Sequence, residues 1–153
     1  DSVKALYAGS LLGGDPNRGA RIFYGNQSAQ CIRCHAYGDY GGSAGPRLNG
    51  VALRLNREQI LESLIEPSAR IAPGFGTVSL ELTNGKKVNG ILLEEKPNGL
   101  LIKIGDKPDT LIVKENISKR TDGMSSMPPM RFLLSKKEIR DVVSFLATMK
   151  END

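Results

Sequence analysis

Apolar positions along the chain change period twice, and the changes divide it. Val3, Leu6, Leu11 and Leu12 make residues 1–14 a short helical lead-in segment, of the kind that leads out of a preceding module. Asp15-Pro16 then signals a helix start, because Asp15 can cap free N–H groups and Pro16 suits the first helical position. That helix runs to about Tyr24, with Gly19, Ile22 and Phe23 on one face and Gly19 admitting a close neighbour. A third helix spans Asn56 to Glu66 through Ile60, Leu61, Leu64 and Ile65, and Pro67 ends it. Near the C-terminus Ser135-Lys136-Lys137-Glu138 reads as a capping box. Ile139, Val142, Val143, Leu146 and Met149 follow as one stripe, with Phe145 beside it, and this last helix is expected to cross the one after Asp15.

Between the third helix and the last, the period shortens to two. Val78, Leu80 and Leu82 face one way, and Asn84-Gly85 is a tight hairpin turn. Further strands are expected at Val88 to Glu94, Leu100 to Ile104 and Thr110 to Val113, with turns at Lys96-Pro97-Asn98-Gly99 and Gly105-Asp106-Lys107-Pro108. Four such strands predict a small antiparallel barrel or curled sheet, inserted at about residues 74–122 into a helical domain spanning 15–153.

Composition narrows the classes. The chain has 153 residues, no Trp and 5% aromatic content, so a bound apolar group would supply mass that the core lacks. The formal charge of +4 is too modest for a general nucleic-acid binder. No apolar run approaches the roughly 20 residues that span a bilayer, so no transmembrane segment is expected.

One string uses both cysteines and the only histidine: Cys31-Ile32-Arg33-Cys34-His35. It is the attachment signature of a c-type haem, in which two thiols three apart bond the two vinyl groups and the adjacent imidazole ligates the iron. A closed zinc site would need a fourth donor, and a thioredoxin-like pair would need a strand-to-helix junction and has no use for the histidine. With His35 used, a second axial ligand has to be Met, Lys or absent. Met149 lies on the helical stripe and is explained by packing. Met124, Met127 and Met130 share a loop that Pro128 and Pro129 stiffen, and Met127 is the preferred ligand, ahead of Met130 and then Met124. Thioether ligation opposite histidine raises the reduction potential.

Gly19 to Phe23, Cys31 to His35, Gly45-Pro46-Arg47-Leu48, Met127-Pro128 and the last helix together resemble class I cytochromes c. The resemblance implies a mainly α fold with the class I helical arrangement, interrupted by the β insertion. It also implies that Pro46 offers its carbonyl to His35, that Leu48 packs on the porphyrin, and that Phe23 and Phe145 meet where the terminal helices cross. About fifty residues of strand pattern before the methionine depart from the small members of the family. With Glu66-Pro67-Ser68-Ala69-Arg70-Ile71-Ala72-Pro73-Gly74-Phe75, the chain resembles the haem-binding domain of planctomycete, verrucomicrobial and Bacteroidetes proteins. Those domains are often fused to a β-propeller related to sugar dehydrogenases.

The expected function is therefore electron transfer rather than catalysis, with haem c as the one cofactor and a partner or fused dehydrogenase as donor. Periplasmic or otherwise exported localisation follows from the attachment chemistry. Arg54, Arg57, Tyr37 and Tyr40 are candidate propionate partners. The insertion would shield a haem edge or dock the donor; its likeness to SH3-like or Sm-like barrels is a weaker pointer to RNA, since base-stacking aromatics are missing. Two rivals stay open. One is a haem enzyme or gas sensor with an open or Lys-ligated distal site, although no second His could serve as acid or base. The other is a structural haem with the insertion as an interaction module.

Overall fold

The computed structural model describes residues 2–152. Two compact units result: residues 1–70 with 127–153, and residues 71–126.

The first unit is helical. Its elements are α1 (Ser2–Leu6), α2 (Pro16–Gly25), α3 (Cys31–Cys34), α4 (Val51–Arg54), α5 (Arg57–Ile65) and α6 (Lys136–Leu146), with single 3-10 turns at Ala8–Leu11, Pro67–Ala69 and Met130–Phe132. Caps set the starts of the three longer helices. Asp15 accepts from the N–H groups of Asn17 and Arg18 ahead of α2, and Asn56 with Gln59 and Ser135 with Glu138 form reciprocal capping boxes at α5 and α6. The core joins Phe23 of α2, Val51 of α4, Ile60, Leu61, Leu64 and Ile65 of α5, and Ile139, Val142, Val143 and Leu146 of α6, with Met130, Leu134 and Met149.

Gly19 decides how α2 meets α6. A Cβ there would collide with the carbonyl of Asp141 and lie 2.7 Å from the Cβ of Phe145. The close approach brings Phe23 and Phe145 to a centroid separation of 5.6 Å. Beside it Asp141, only 3% exposed, accepts from the backbone N–H of Asp15 at 2.8 Å and pairs with Arg18 Nε at 3.3 Å. A buried carboxylate is tolerable here because both oxygens have partners.

Residues 2–14 pack as part of this unit. Val3, Tyr7 and Leu11 sit against its core, and Lys4 pairs with Glu62 at 2.6 Å. Arg57 donates to the carbonyls of Ser10 and Gly13, and Arg140 to that of Leu12.

The second unit is one antiparallel sheet of β1 (Gly76–Leu82), β2 (Lys87–Lys96), β3 (Gly99–Lys103), β4 (Thr110–Val113) and β5 (Ile117–Asp122), in the order β4-β3-β2-β1-β5. The hairpin at Asn84-Gly85 joins β1 to β2, with Gly85 at φ 87°, and pairs Val78 with Gly90 and Leu80 with Val88. Val78, Leu80, Leu100 and Ile102 are its buried centre. Register shifts at Glu81/Leu82 and Leu92/Glu94 bend the sheet, and Arg120 of β5 reaches Glu95 of β2 at 2.5 Å across its curl.

The expectation of a mainly α chain is corrected. The content is 37% helix and 23% strand, the sheet has five strands rather than four, and no clear class I cytochrome helical arrangement is present. Two helices, α3 and α4, are single turns of four residues. The fifth strand escapes sequence reading because five of its six residues are polar and exposed, so the alternation that marks β1 is missing.

Candidate functional site

The site begins before the motif. Asn26 follows α2 and accepts through Oδ1 from the N–H groups of Ser28 and Ala29, a local turn that aims the chain toward Cys31. Gln30 then adopts φ 51° and ψ 42°, the one non-glycine residue with positive φ among the described residues. Cys31 opens α3 and Cys34 closes it, so both thiols ride on one helical turn separated by two residues. Both are unbonded; Cys31 is half-buried and Cys34 exposed, and burial pushes the Cys31 thiol above its ordinary pKa. His35 leaves the turn in extended backbone, its N–H still bonded to the Cys31 carbonyl at 2.9 Å.

The segment after the motif folds back along it. Gly42 N–H donates to Ile32 O at 3.0 Å, Gly45 N–H to Cys34 O at 2.8 Å and Leu48 N–H to Ala36 O at 2.9 Å. Side chains would prevent this approach. A Cβ on Gly42 would strike the carbonyl of Arg33, and one on Gly41 would strike the carbonyl of His35. At Gly45 it would stand 2.7 Å from His35 Cε1, 3.0 Å from Nδ1 and 3.2 Å from Nε2, so bare backbone lies against the imidazole.

His35 Nδ1 lies 2.7 Å from the carbonyl oxygen of Pro46. A carbonyl only accepts, so Nδ1 is the donor, and in the neutral ring the lone pair is then on Nε2. The tautomer is therefore the one a metal at Nε2 requires. Arg54 steadies the same loop, donating from Nη1 to Asn49 O at 2.9 Å and from Nη2 to Arg47 O at 3.2 Å, while Asn49 Oδ1 accepts from Gly38 N–H at 3.0 Å.

The other residues singled out from sequence fall in different places. Leu48 and Met127 are half-buried against the helical core. Met130 is 2% exposed within that core, whereas Met124 is 83% exposed and belongs to the strand unit. Tyr37 meets the ring of Phe145 edge-on at 6.3 Å and Tyr40 is exposed. Arg57 is spent on the carbonyls of residues 10 and 13. Sequence reading missed Gln30, Gly41, Gly42, Asn49 and Asp141; the glycines are visible in the sequence, but nothing there names the backbone they admit. Among the described residues no group of three or more His, Cys, Asp or Glu side chains converges as a metal site, and no helix is long and apolar enough to cross a membrane.

No family model and no curated protein matches the chain. Solved structures do, among them the crystal structure of SoxXA from P. pantotrophus, at 22% identity over 92% of this chain and 85% of that one, with a TM-score of 0.48. A superposition that loose carries no argument about this site.

The donor set fits a c-type haem on its own terms. Two unbonded thiols share a turn, and the adjacent imidazole has Nδ1 engaged by the Pro46 carbonyl, which directs its Nε2 to a metal.

Proposed function

We propose that the helical unit binds one haem c through Cys31 and Cys34 and transfers single electrons. The observation that carries this reading is the 2.7 Å hydrogen bond from His35 Nδ1 to Pro46 O, which selects Nε2 as the ring nitrogen for a metal, beside two available thiols. When bound, the cofactor supplies a metal that cycles between two oxidation states; the rest is done by the chain. His35 Nε2 would hold the iron on one side, with Pro46 fixing the ring and raising its basicity. Leu48, half-buried beside the motif, would exclude water from the ring edge.

Met127 is the proposed second ligand. Its half-burial at the margin of the core is what a thioether reaching an inserted group needs, and Pro128 and Pro129 restrict the backbone that follows. Met130 is engaged in core packing and Met124 is exposed in the other unit. Arg54 is proposed to hold its loop and to offer its remaining N–H groups to a propionate. The donor would be a redox partner or a fused β-propeller dehydrogenase, and attachment would take place in the periplasm or another exported compartment.

The test is expression of the full chain with a haem-attachment system, followed by denaturation in acid and extraction. Pigment that stays with the polypeptide, and a ferric red band characteristic of methionine bound to iron that Met127→Ala abolishes and Met130→Ala spares, are expected. Complete release of the pigment refutes the covalent haem; loss of the band only in Met130→Ala refutes the ligand.

A further inference from the structure

We propose that Gln30 is a positioning residue for the Cys31 thiol, its left-handed backbone setting the half-turn that lets both sulfurs of the motif bond a single porphyrin. The inference rests on the haem reading and extends it to a residue outside the C-x-x-C-H string.

The left-handed region disfavours any residue with a Cβ, and glutamine has no short polar side chain to relieve it. Such a conformation persists only where the surroundings impose it. Here both sides impose it. Upstream, Gln30 N–H donates to Asn26 O at 3.0 Å, and the Asn26 turn is anchored by Ala29, which is buried. Downstream, Gln30 O accepts from Arg33 N–H at 3.1 Å, and Gln30 Oε1 accepts from Arg33 Nη1 at 3.0 Å. Arg33 lies between the two cysteines, so main chain and side chain of Gln30 both grip the turn that carries them. A glycine would reach the same φ more easily but would lose the clasp.

Were φ at Gln30 to revert to the right-handed basin, the Cα–C bond leading into Cys31 would swing, and α3 would leave the path that Gly42 and Gly45 bind from the other side. Cys31, half-buried, has less freedom to compensate than exposed Cys34. Each attachment adds a thiol across one vinyl group: the S–H bond and the vinyl π bond break, a carbon–sulfur bond forms, the proton passes to the other vinyl carbon, and no net oxidation occurs. A misplaced Cys31 would therefore leave a chain bound through Cys34 alone, with one unreacted thiol.

The experiment is to mature the full chain with haem, denature it, alkylate free thiols with iodoacetamide and locate the label by peptide mass. Wild type and Gln30→Gly are expected to show almost no label. In Gln30→Val, whose β-branched side chain resists the left-handed basin more than the straight side chain of glutamine, label on Cys31 should rise about fivefold, the ratio that an extra cost of about 1 kcal/mol implies. Two complete thioethers in Gln30→Val, even with a lowered Tm, would overturn the proposal, because a merely structural role moves stability and not the thiol count. If Gln30→Val yields no folded chain, Gln30→Thr, β-branched like valine but polar, decides between the same two outcomes. Should the wild type bind no pigment at all, the haem reading falls separately. The rate at which oxidised glutathione closes a Cys31–Cys34 disulfide in the full chain then tests Gln30: slowing in Gln30→Val with recovery in Gln30→Gly supports it, and equal rates reject it.

Discussion

The carbonyl of Asp141 occupies the place where a Cβ on Gly19 would have to go. Helices α2 and α6 touch there with no atom to spare. Gly19→Ala should therefore destabilise the helical unit by about 1–3 kcal/mol, the usual cost of overpacking. Gly25 ends the same helix with nothing within 4 Å of a built Cβ, so Gly25→Ala should be neutral or stabilise by up to about 1 kcal/mol. Denaturant unfolding of the two variants checks the contrast, and equal effects would contradict the crossing geometry.

Gly45 presents a second test, closer to the chemistry. In Gly45→Ala the methyl group must displace either the imidazole or the loop, lengthening the His35–Pro46 hydrogen bond. A less basic imidazole stabilises oxidised iron less, so the reduction potential of the haem-loaded chain should rise. Spectroelectrochemical titration reads this directly; an unchanged potential would show that the bond is not coupled to the metal.

The two methionines flanking the proline pair should separate stability from ligation. Met130→Ala removes a side chain that is 2% exposed and should cost about 2–5 kcal/mol in unfolding free energy. Met127→Ala, at a half-buried position, should cost the haem-free chain clearly less. Thermal melts without haem settle the order.

Asp15 predicts a pH dependence. The backbone N–H of Arg18, then that of Asn17, with the nearby guanidinium groups of Arg18 and Arg21, hold its carboxyl below the ordinary value of 3.8. The folded state thus binds a proton less readily than the unfolded state. Its contribution is complete above that ordinary value and disappears as pH falls through the lowered one. Asp15→Asn still caps but does not titrate. Its Tm deficit relative to wild type should be present at about pH 6 and shrink as pH falls below 3.8. A deficit independent of pH would assign the effect to cap geometry alone.

How much of this was legible in the chain depends on how local the cause is. The stops and starts of α2, α5 and α6 are written in Asp15-Pro16, Asn56 and Ser135-Glu138, because a cap and its targets lie within three residues. The stripe from Ile139 to Met149 is buried as its spacing requires. Long-range polar contacts leave no such mark. Arg57 stands near the motif in sequence, yet its partners are carbonyls 44 and 47 positions away. Asp141 looks like a surface acid between Arg140 and Val142, and only the passage of α2 over α6 encloses it. The strand β5 leaves no alternation in the sequence, because its pairing with β1 is main-chain and its side chains are free to be polar. At the motif, the residue types carry the proposal of a haem, but the glycines that let the following loop lie on His35 acquire meaning only once the loop is folded.

The helical unit is discontinuous in the chain, and this bears on the order of its assembly. Phe23 meets Phe145 only once α6 is present, and α6 follows the whole strand segment in the chain. The strand segment is contiguous, with a tight hairpin to nucleate it, and can fold as soon as it emerges. The half-built helical core, with both thiols of the motif on it, must wait. Until the last helix closes the core, the C-x-x-C-H turn lies open, and attachment of the proposed haem would fall in that interval.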